Sequence, residues 1–210
     1  MGIFDIFRRK KVGAGKKMSV SNVPMQYRMA LQFNEEFATL LTADKYIARS
    51  DYKHFAGKYD EVYQFFVSVL EAQILEEYVE KNNLDITQIE AFVSHYEEIR
   101  DITKESATIK NHNDQFVANR IESEKEYLDN ILKACDPAIL LDNEQREVVL
   151  SEEDNTLVIA GAGAGKTTTV AAKVRYLVER RGVKPEQILV ILRKRICVVS
   201  LAACSLAVKM

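Results

Sequence analysis

A glycine-rich stretch in the last quarter of the chain has the residue types and spacing of a phosphate-binding loop. It reads AGAGAGKT from Ala160 to Thr167. Glycines allow the backbone to curl so that its N–H groups converge on phosphate oxygens at the positive end of the following helix. A lysine at the end of such a loop reaches the terminal phosphates, and the next hydroxyl binds Mg²⁺. The pattern therefore predicts a nucleotide site with Lys166 and Thr167 as catalytic residues and Thr167 as the metal ligand.

The elements around this loop must hold it in place. A short apolar, β-prone run from Thr156 to Ile159 precedes the loop, a helical stretch follows it as far as Arg181, and a second apolar run spans residues 188–191. The order strand, loop, helix, strand predicts an α/β fold class for this part of the chain. The alternative is a glycine-rich turn that happens to precede a helix. The preceding strand and the terminal GKT disfavour that alternative.

Further sequence around the loop resembles a known family. The stretch LLDNEQREVV lies upstream, with Gln145 placed 21 residues before Lys166, and VKPEQILVI lies downstream. Together with IAGAGAGKTTT, these stretches resemble the start of a superfamily 1 DNA helicase of the UvrD and Rep kind over residues 141–191. The stretch HNDQFVANRI and the acidic helical leader resemble the helicase IV branch of that family.

The resemblance implies a RecA-like P-loop NTPase domain, with ATP and Mg²⁺ as cofactors and single-stranded DNA as a partner. It implies a helicase that moves in the 3′ to 5′ direction. Gln145 would contact the adenine edge, because a carboxamide offers both a donor and an acceptor. Thr168 stands where UvrD has an arginine near the base. The implied cofactor-binding residues are Gln145, Ala160, Gly161, Ala162, Gly163, Ala164, Gly165, Lys166, Thr167 and Thr168.

The region before the loop is expected to be mostly helical. From Met25 to Asp136 it contains no proline and only one glycine. Apolar residues recur at intervals of three and four, as in the run Ile89, Phe92, Val93, Tyr96 and Ile99. That period predicts amphipathic helices in a small bundle. The three histidines share no metal-ligand spacing, which disfavours a metal site. The residues of the leader do not reveal its function, and binding of a protein partner stays open.

Charge and composition suggest a division of the chain into four parts. Residues 1–18 form a basic arm, 19–138 the helical leader, 139–191 the start of the P-loop domain, and 192–210 an atypical basic tail. The tail LRKRICVVSLAACSLAVKM departs from the helicase pattern immediately after Ile191. A reading-frame change is favoured over a genuine short protein. The chain is then expected to be an incomplete and inactive piece of a helicase.

Composition limits the remaining function classes. The chain is 47% hydrophobic and 29% charged, which is typical of a folded domain. It has no apolar run of membrane-spanning length and no signal peptide, so the expected location is the cytoplasm, with no membrane partner. Two alternatives to a helicase stay open. One is another P-loop ATPase or GTPase, and the other is a non-enzymatic helical interaction module with a vestigial P-loop.

Overall fold

The computed structural model describes residues 23–101 and 103–191. The predicted basic arm at 1–18 and the atypical tail at 192–210 lie outside the described residues. The described residues form helices joined by loops. These helices are α1 (Met25–Thr42), α2 (Arg49–Gly57), α3 (Asp60–Glu71), α4 (Leu75–Asn82), α5 (Ile86–Arg100), α6 (Ala107–Ser123), α7 (Lys125–Asn130), α8 (Asn143–Leu150) and α9 (Lys166–Glu179), followed by a 3₁₀ turn at Pro185–Gln187. They fall into two compact units that divide between His112 and Asn113.

Local sequence signals set the ends of several helices. Asp85 caps α5 by accepting a hydrogen bond from the Thr87 N–H at 3.0 Å, which satisfies one of the amide groups that a first helical turn leaves without a partner. Helix α4 ends at Asn83, which adopts a left-handed conformation with φ of 49°. Asparagine tolerates that conformation better than most residues. Between these ends, the apolar residues that recur in the sequence of α5 form one buried face of that helix.

The first unit is built around a cluster of aromatic rings. Phe33 of α1 is fully buried. Its ring centroid lies 5.0 Å from Phe55 and from Phe92, and 5.2 Å from Tyr59. Stacked and edge-on pairs at these separations stabilise a core beyond the area they bury. One ring thus joins α1 to α2 and α5.

Polar contacts at the margin of this core connect α3 with α5. The Tyr96 hydroxyl donates to Asp60 at 2.8 Å, and the Tyr63 hydroxyl donates to Glu97 at 2.9 Å while accepting from Arg100 at 2.8 Å. Burial raises the pKa of Tyr63 and Tyr96 above the ordinary tyrosine value. A tyrosine hydroxyl is protonated at neutral pH in any case, and the raised pKa extends the range in which these two hydroxyls can donate to higher pH.

The second unit contains α7, α8 and α9. Leu128, Val149, Leu150 and Ala172 are almost completely buried there. Arg146 of α8 is also buried, and its guanidinium group donates to Asp129 at 2.6 Å and to the Leu141 carbonyl at 3.0 Å. A buried guanidinium needs such partners because an unpaired buried charge is strongly destabilising. This ion pair connects α8 with α7.

The predicted α/β fold class is wrong for the described residues. They contain no strand, and neither the run at 156–160 nor the run at 188–191 forms one. A β-strand is stable when its backbone groups pair with a neighbouring strand and one face is covered. Neither run is covered, because Leu157 and Ile159 are 85% and 89% exposed and Leu189 is 78% exposed. The β-prone composition of these runs therefore led to a wrong prediction, and only the loop and the helix after it are present.

Replacing Phe33 with alanine should destabilise the first unit by about 3–5 kcal/mol, the range typical of a buried phenylalanine that leaves a cavity. The change in the urea unfolding curve, followed by circular dichroism, measures this effect. Leu31→Ala is the matched control, because Leu31 lies on the same helix and is 36% exposed. Equal shifts of the two variants would contradict the central position of Phe33 in the core.

Candidate functional site

The glycine loop, defined as residues 160–165, leads directly into α9. Gly165 is the residue before the first turn of α9 and has φ of 73°, and Gly163 has φ of 80°. Both angles lie in the left-handed region, which glycine adopts without steric strain and most other residues avoid. Two of the three glycines in the motif are therefore required by the backbone path. The path delivers Lys166 and Thr167 to the first turn of α9, where the amide groups point away from the helix.

Lys166 folds its side chain back over the glycine loop. Its ammonium group donates to the carbonyl oxygens of Ala160 at 2.7 Å and Gly161 at 2.5 Å. The side chain is exposed, so both hydrogen bonds are accessible to solvent. A phosphate oxygen bonds an ammonium group more strongly than a neutral carbonyl does. An arriving phosphate could therefore exchange for these carbonyls without leaving a buried charge behind.

Gln145 lies against the glycine loop from a separate helix. It belongs to a capping box at the start of α8, in which Asp142 accepts from the Gln145 N–H at 2.8 Å and the Gln145 Oε1 accepts from the Asp142 N–H at 3.1 Å. Its Nε2 donates to the Ala164 carbonyl at 3.2 Å. The local turn chemistry of α8 therefore fixes the backbone of Gln145, and the amide group connects α8 to the loop.

A cavity of about 310 Å³ lies between α8 and the loop. The residues from the predicted site that line it are Gln145, Ala160, Ala164 and Lys166. The other predicted site residues are not among its lining residues: Gly161, Ala162, Gly163, Gly165, Thr167 and Thr168. Gly161 to Gly163 and Thr167 are exposed instead. The structure thus brings the segment that carries Lys166 and the segment that carries Gln145 together around one cavity.

Sequence reasoning missed Lys173. This residue follows Lys166 by seven positions, which is close to two helical turns, so both lie on one face of α9. They line a second, mostly apolar cavity of about 480 Å³. The Lys173 ammonium donates to the carbonyls of Val149 at 2.8 Å and of Ser151. The spacing from Lys166 was the only sequence signal that pointed to Lys173, and it did not reveal the hydrogen bonds to Val149 and Ser151.

Burial lowers the pKa of Lys173 from its ordinary value of 10.5 to about 8. The charge of Glu152 acts in the opposite direction, and the charge of Arg181 adds to the lowering. A neutral amine still has two N–H donors, so deprotonation does not by itself remove the two hydrogen bonds to α8.

Neither a metal-binding cluster nor a membrane-spanning helix is present among the described residues. Within residues 23–101 and 103–191, no group of three or more histidine, cysteine, aspartate or glutamate residues could hold a metal ion. No helix in those ranges is both long and apolar enough to cross a lipid bilayer.

Comparison with known proteins supports the sequence resemblance over this part of the chain. Residues 141–192 match the family model of the UvrD/REP helicase N-terminal domain. This segment resembles the UvrD/REP helicases. The resemblance that the sequence predicted is therefore confirmed for residues 141–192, which we call the UvrD/REP-like segment. This segment contains α8, the glycine loop and α9. No solved structure matches the chain.

Individual helicases match the same stretch. The ATP-dependent DNA helicase UvrD1 of Mycobacterium leprae is 45% identical over 51 residues, which is 24% of this chain and 7% of that protein. UvrD1 of Mycobacterium tuberculosis strain H37Rv is 43% identical over 51 residues, with the same coverage of 24% and 7%. A probable DNA helicase II homolog of Mycoplasma capricolum is 38% identical over 52 residues, covering 25% of this chain and 7% of that protein. The match therefore spans only a small part of each relative.

Gly165→Ala should destabilise the loop against α8. An added Cβ would lie 2.6 Å from the Gln145 Nε2, and the backbone would keep a φ that alanine avoids. We expect a loss of about 1–2 kcal/mol in the free energy of unfolding of the second unit, the range for a non-glycine residue in left-handed conformation. Gly161→Ala is the control, because a Cβ there meets nothing within 4 Å. A larger loss for Gly161→Ala in thermal unfolding would contradict the geometry.

The stability contribution of Lys173 should depend on pH. A lysine with a pKa of about 8 in the folded chain and 10.5 when unfolded binds fewer protons in the folded state between those values. The free energy of unfolding should therefore rise between pH 8 and pH 10, by about 2 kcal/mol. Lys173→Met removes the titrating group, so its unfolding free energy should not show this rise. A parallel pH dependence of both proteins in urea unfolding would contradict the assignment.

Proposed function

We propose that residues 141–191 are the ATP-binding start of a UvrD-like, ATP-dependent DNA helicase. In such a protein, ATP hydrolysis would drive movement along single-stranded DNA in the 3′ to 5′ direction and unwinding of the duplex. The observation that carries the proposal is the geometry of the glycine loop. Its left-handed glycines place Lys166 and the amide groups of α9 at one point beside Gln145.

The donor set at this point suits a triphosphate. The free amide groups at the start of α9 and the Lys166 ammonium group are the donors that phosphate oxygens require. The exposed Thr167 hydroxyl is proposed as the Mg²⁺ ligand. Bound Mg²⁺ would neutralise charge on the transferred phosphoryl group. The residues present therefore fit ATP and Mg²⁺ as cofactors.

Gln145 is proposed as the residue that recognises adenine. Its carboxamide lies at the rim of the cavity of about 310 Å³, next to the loop carbonyl of Ala164. A carboxamide can donate to one atom of a base edge and accept from another. Its Nε2 has a second N–H and its Oε1 has a second lone pair, so Gln145 can bind a base edge while it keeps its hydrogen bonds with Ala164 and Asp142. Thr168 is half-buried on the first turn of α9 and does not line this cavity, so the geometry adds no support for a contact of Thr168 with the base.

The partners and location of the whole protein follow from the same proposal. A UvrD-like helicase would bind single-stranded DNA as its substrate and work in the cytoplasm. Binding of a protein partner by the helices of the first unit is a separate proposal that does not depend on the helicase assignment.

Lys166→Ala should lower ATP affinity at least tenfold, which corresponds to about 1.4 kcal/mol. The loss is expected because the ammonium group would contact the terminal phosphates. Titration with a fluorescent ATP analogue in the presence and absence of Mg²⁺ measures the effect. Lys133→Ala is the matched control, because Lys133 is an exposed lysine of the same unit. If the unsubstituted chain fails to bind ATP, or if Lys166→Ala binds it as well as the control does, the proposal is wrong.

A further inference from the structure

We propose that Lys173 is a positioning residue for Gln145. It holds the carboxyl-terminal end of α8 in place, and thereby fixes the amino-terminal end of α8, where Gln145 contacts the glycine loop. The inference rests on the proposed function only in the role given to Gln145 towards adenine.

The contacts of Lys173 lie at one end of α8. Its ammonium group donates to the carbonyl oxygens of Val149 and Ser151. Carbonyl groups at the end of a helix lack partners within that helix and carry the negative end of its dipole. The helix dipole favours a cation at that position while burial opposes it, and the hydrogen bonds give the ammonium group a defined geometry.

The contact of Gln145 lies at the other end of α8. Its Nε2 donates to the Ala164 carbonyl at 3.2 Å, in the loop that precedes α9. Helix α8 has eight residues and is about 12 Å long at 1.5 Å per residue. A helix this short moves as a rigid rod. Because both of its ends are attached to the loop and helix that carry Lys166, a tilt at the Lys173 end displaces Gln145.

The charges near Lys173 indicate that packing alone does not explain this residue. Glu152, the acidic group that acts on it, is already paired with Arg181 at 2.6 Å. The ring of Tyr176 lies 5.9 Å from the Lys173 ammonium group. In the part of the chain that the structure describes, no ion pair includes Lys173. Burying an ammonium group against carbonyls costs more than burying an apolar chain of the same length. The ammonium group of Lys173 supplies two hydrogen bonds to α8, and a methionine side chain could not form them.

The first test follows Gln145 directly and needs no nucleotide. The side-chain amide signals of Gln145 are assigned in the ¹⁵N-labelled protein by their loss in Gln145→Ala. In Lys173→Met, we expect these amide protons to exchange with solvent at least tenfold faster, because the bond to Ala164 is lost. Lys173→Arg keeps a charge and donors on the same face and should stay within about threefold of the unsubstituted protein.

The control for this test is Lys133→Met, which removes an exposed lysine of the same unit and should leave the Gln145 signals unchanged. If Lys173→Met is unfolded by circular dichroism, Lys173→Gln replaces it, since its shorter amide cannot reach both carbonyls. Unchanged exchange of the Gln145 amide in a folded Lys173 variant would overturn the proposal.

The second test separates positioning from general structural damage. Lys173→Met should weaken ATP binding about tenfold but leave the binding of tripolyphosphate, which has no base, within about threefold. The double variant with Gln145→Ala should bind ATP no more weakly than Gln145→Ala alone, because both changes remove the same contact. Equal losses for ATP and tripolyphosphate, or additive losses in the double variant, would overturn the positioning role.

The two proposals fail in different ways. If the unsubstituted chain binds neither ATP nor tripolyphosphate, the nucleotide-binding function is wrong, and the exchange of the Gln145 amide alone then decides the role of Lys173. If ATP binding depends on Lys166 but substitution of Lys173 leaves the exchange rate of the Gln145 amide unchanged, the nucleotide-binding function stands and the positioning role is wrong.

Discussion

The left-handed backbone at Gly163 and Gly165 is the constraint on which the candidate site depends. Because Gly165 turns the chain in that conformation, α9 begins at Lys166 and presents its first amide groups and the lysine side chain together. The same turn brings the Ala164 carbonyl within 3.2 Å of the Gln145 amide. A side chain at position 165 would collide with that amide. The contact between the Gln145 amide and the loop therefore favours glycine at this position, and the positive φ of 73° favours it independently.

The two units are stabilised in different ways. The first has an aromatic core centred on Phe33, with tyrosine hydroxyls bonded to carboxylates at its margin. The second has a smaller apolar interior, and charged side chains complete its helix contacts, as Arg146 and Lys173 do. Each of these two side chains donates two hydrogen bonds to defined partners, which compensate in part for the cost of burying its charge.

The comparisons concern only the second unit. The UvrD/REP-like segment is about a quarter of this chain, and the match covers 7% of each of the three helicases named above. It includes α8, the glycine loop and α9, which are the elements that form the candidate site. The family resemblance and the geometry thus point to the same residues, while the aromatic helices of the first unit belong to the part of the chain outside the matched range.

The sequence by itself determined the local features. The glycine and lysine spacing located the loop and the apolar period located α5, because each pattern depends on residues that are close together in the sequence. Only the tertiary structure decided the rest. The β-prone runs at 156–160 and 188–191 form no strand in the described chain, since pairing requires partners far away in sequence. The contact of Gln145 with Ala164 and that of Lys173 with Val149 join residues 19 and 24 positions apart. Contacts between residues this far apart in the sequence depend on how the helices pack, so a local pattern of residues does not reveal them.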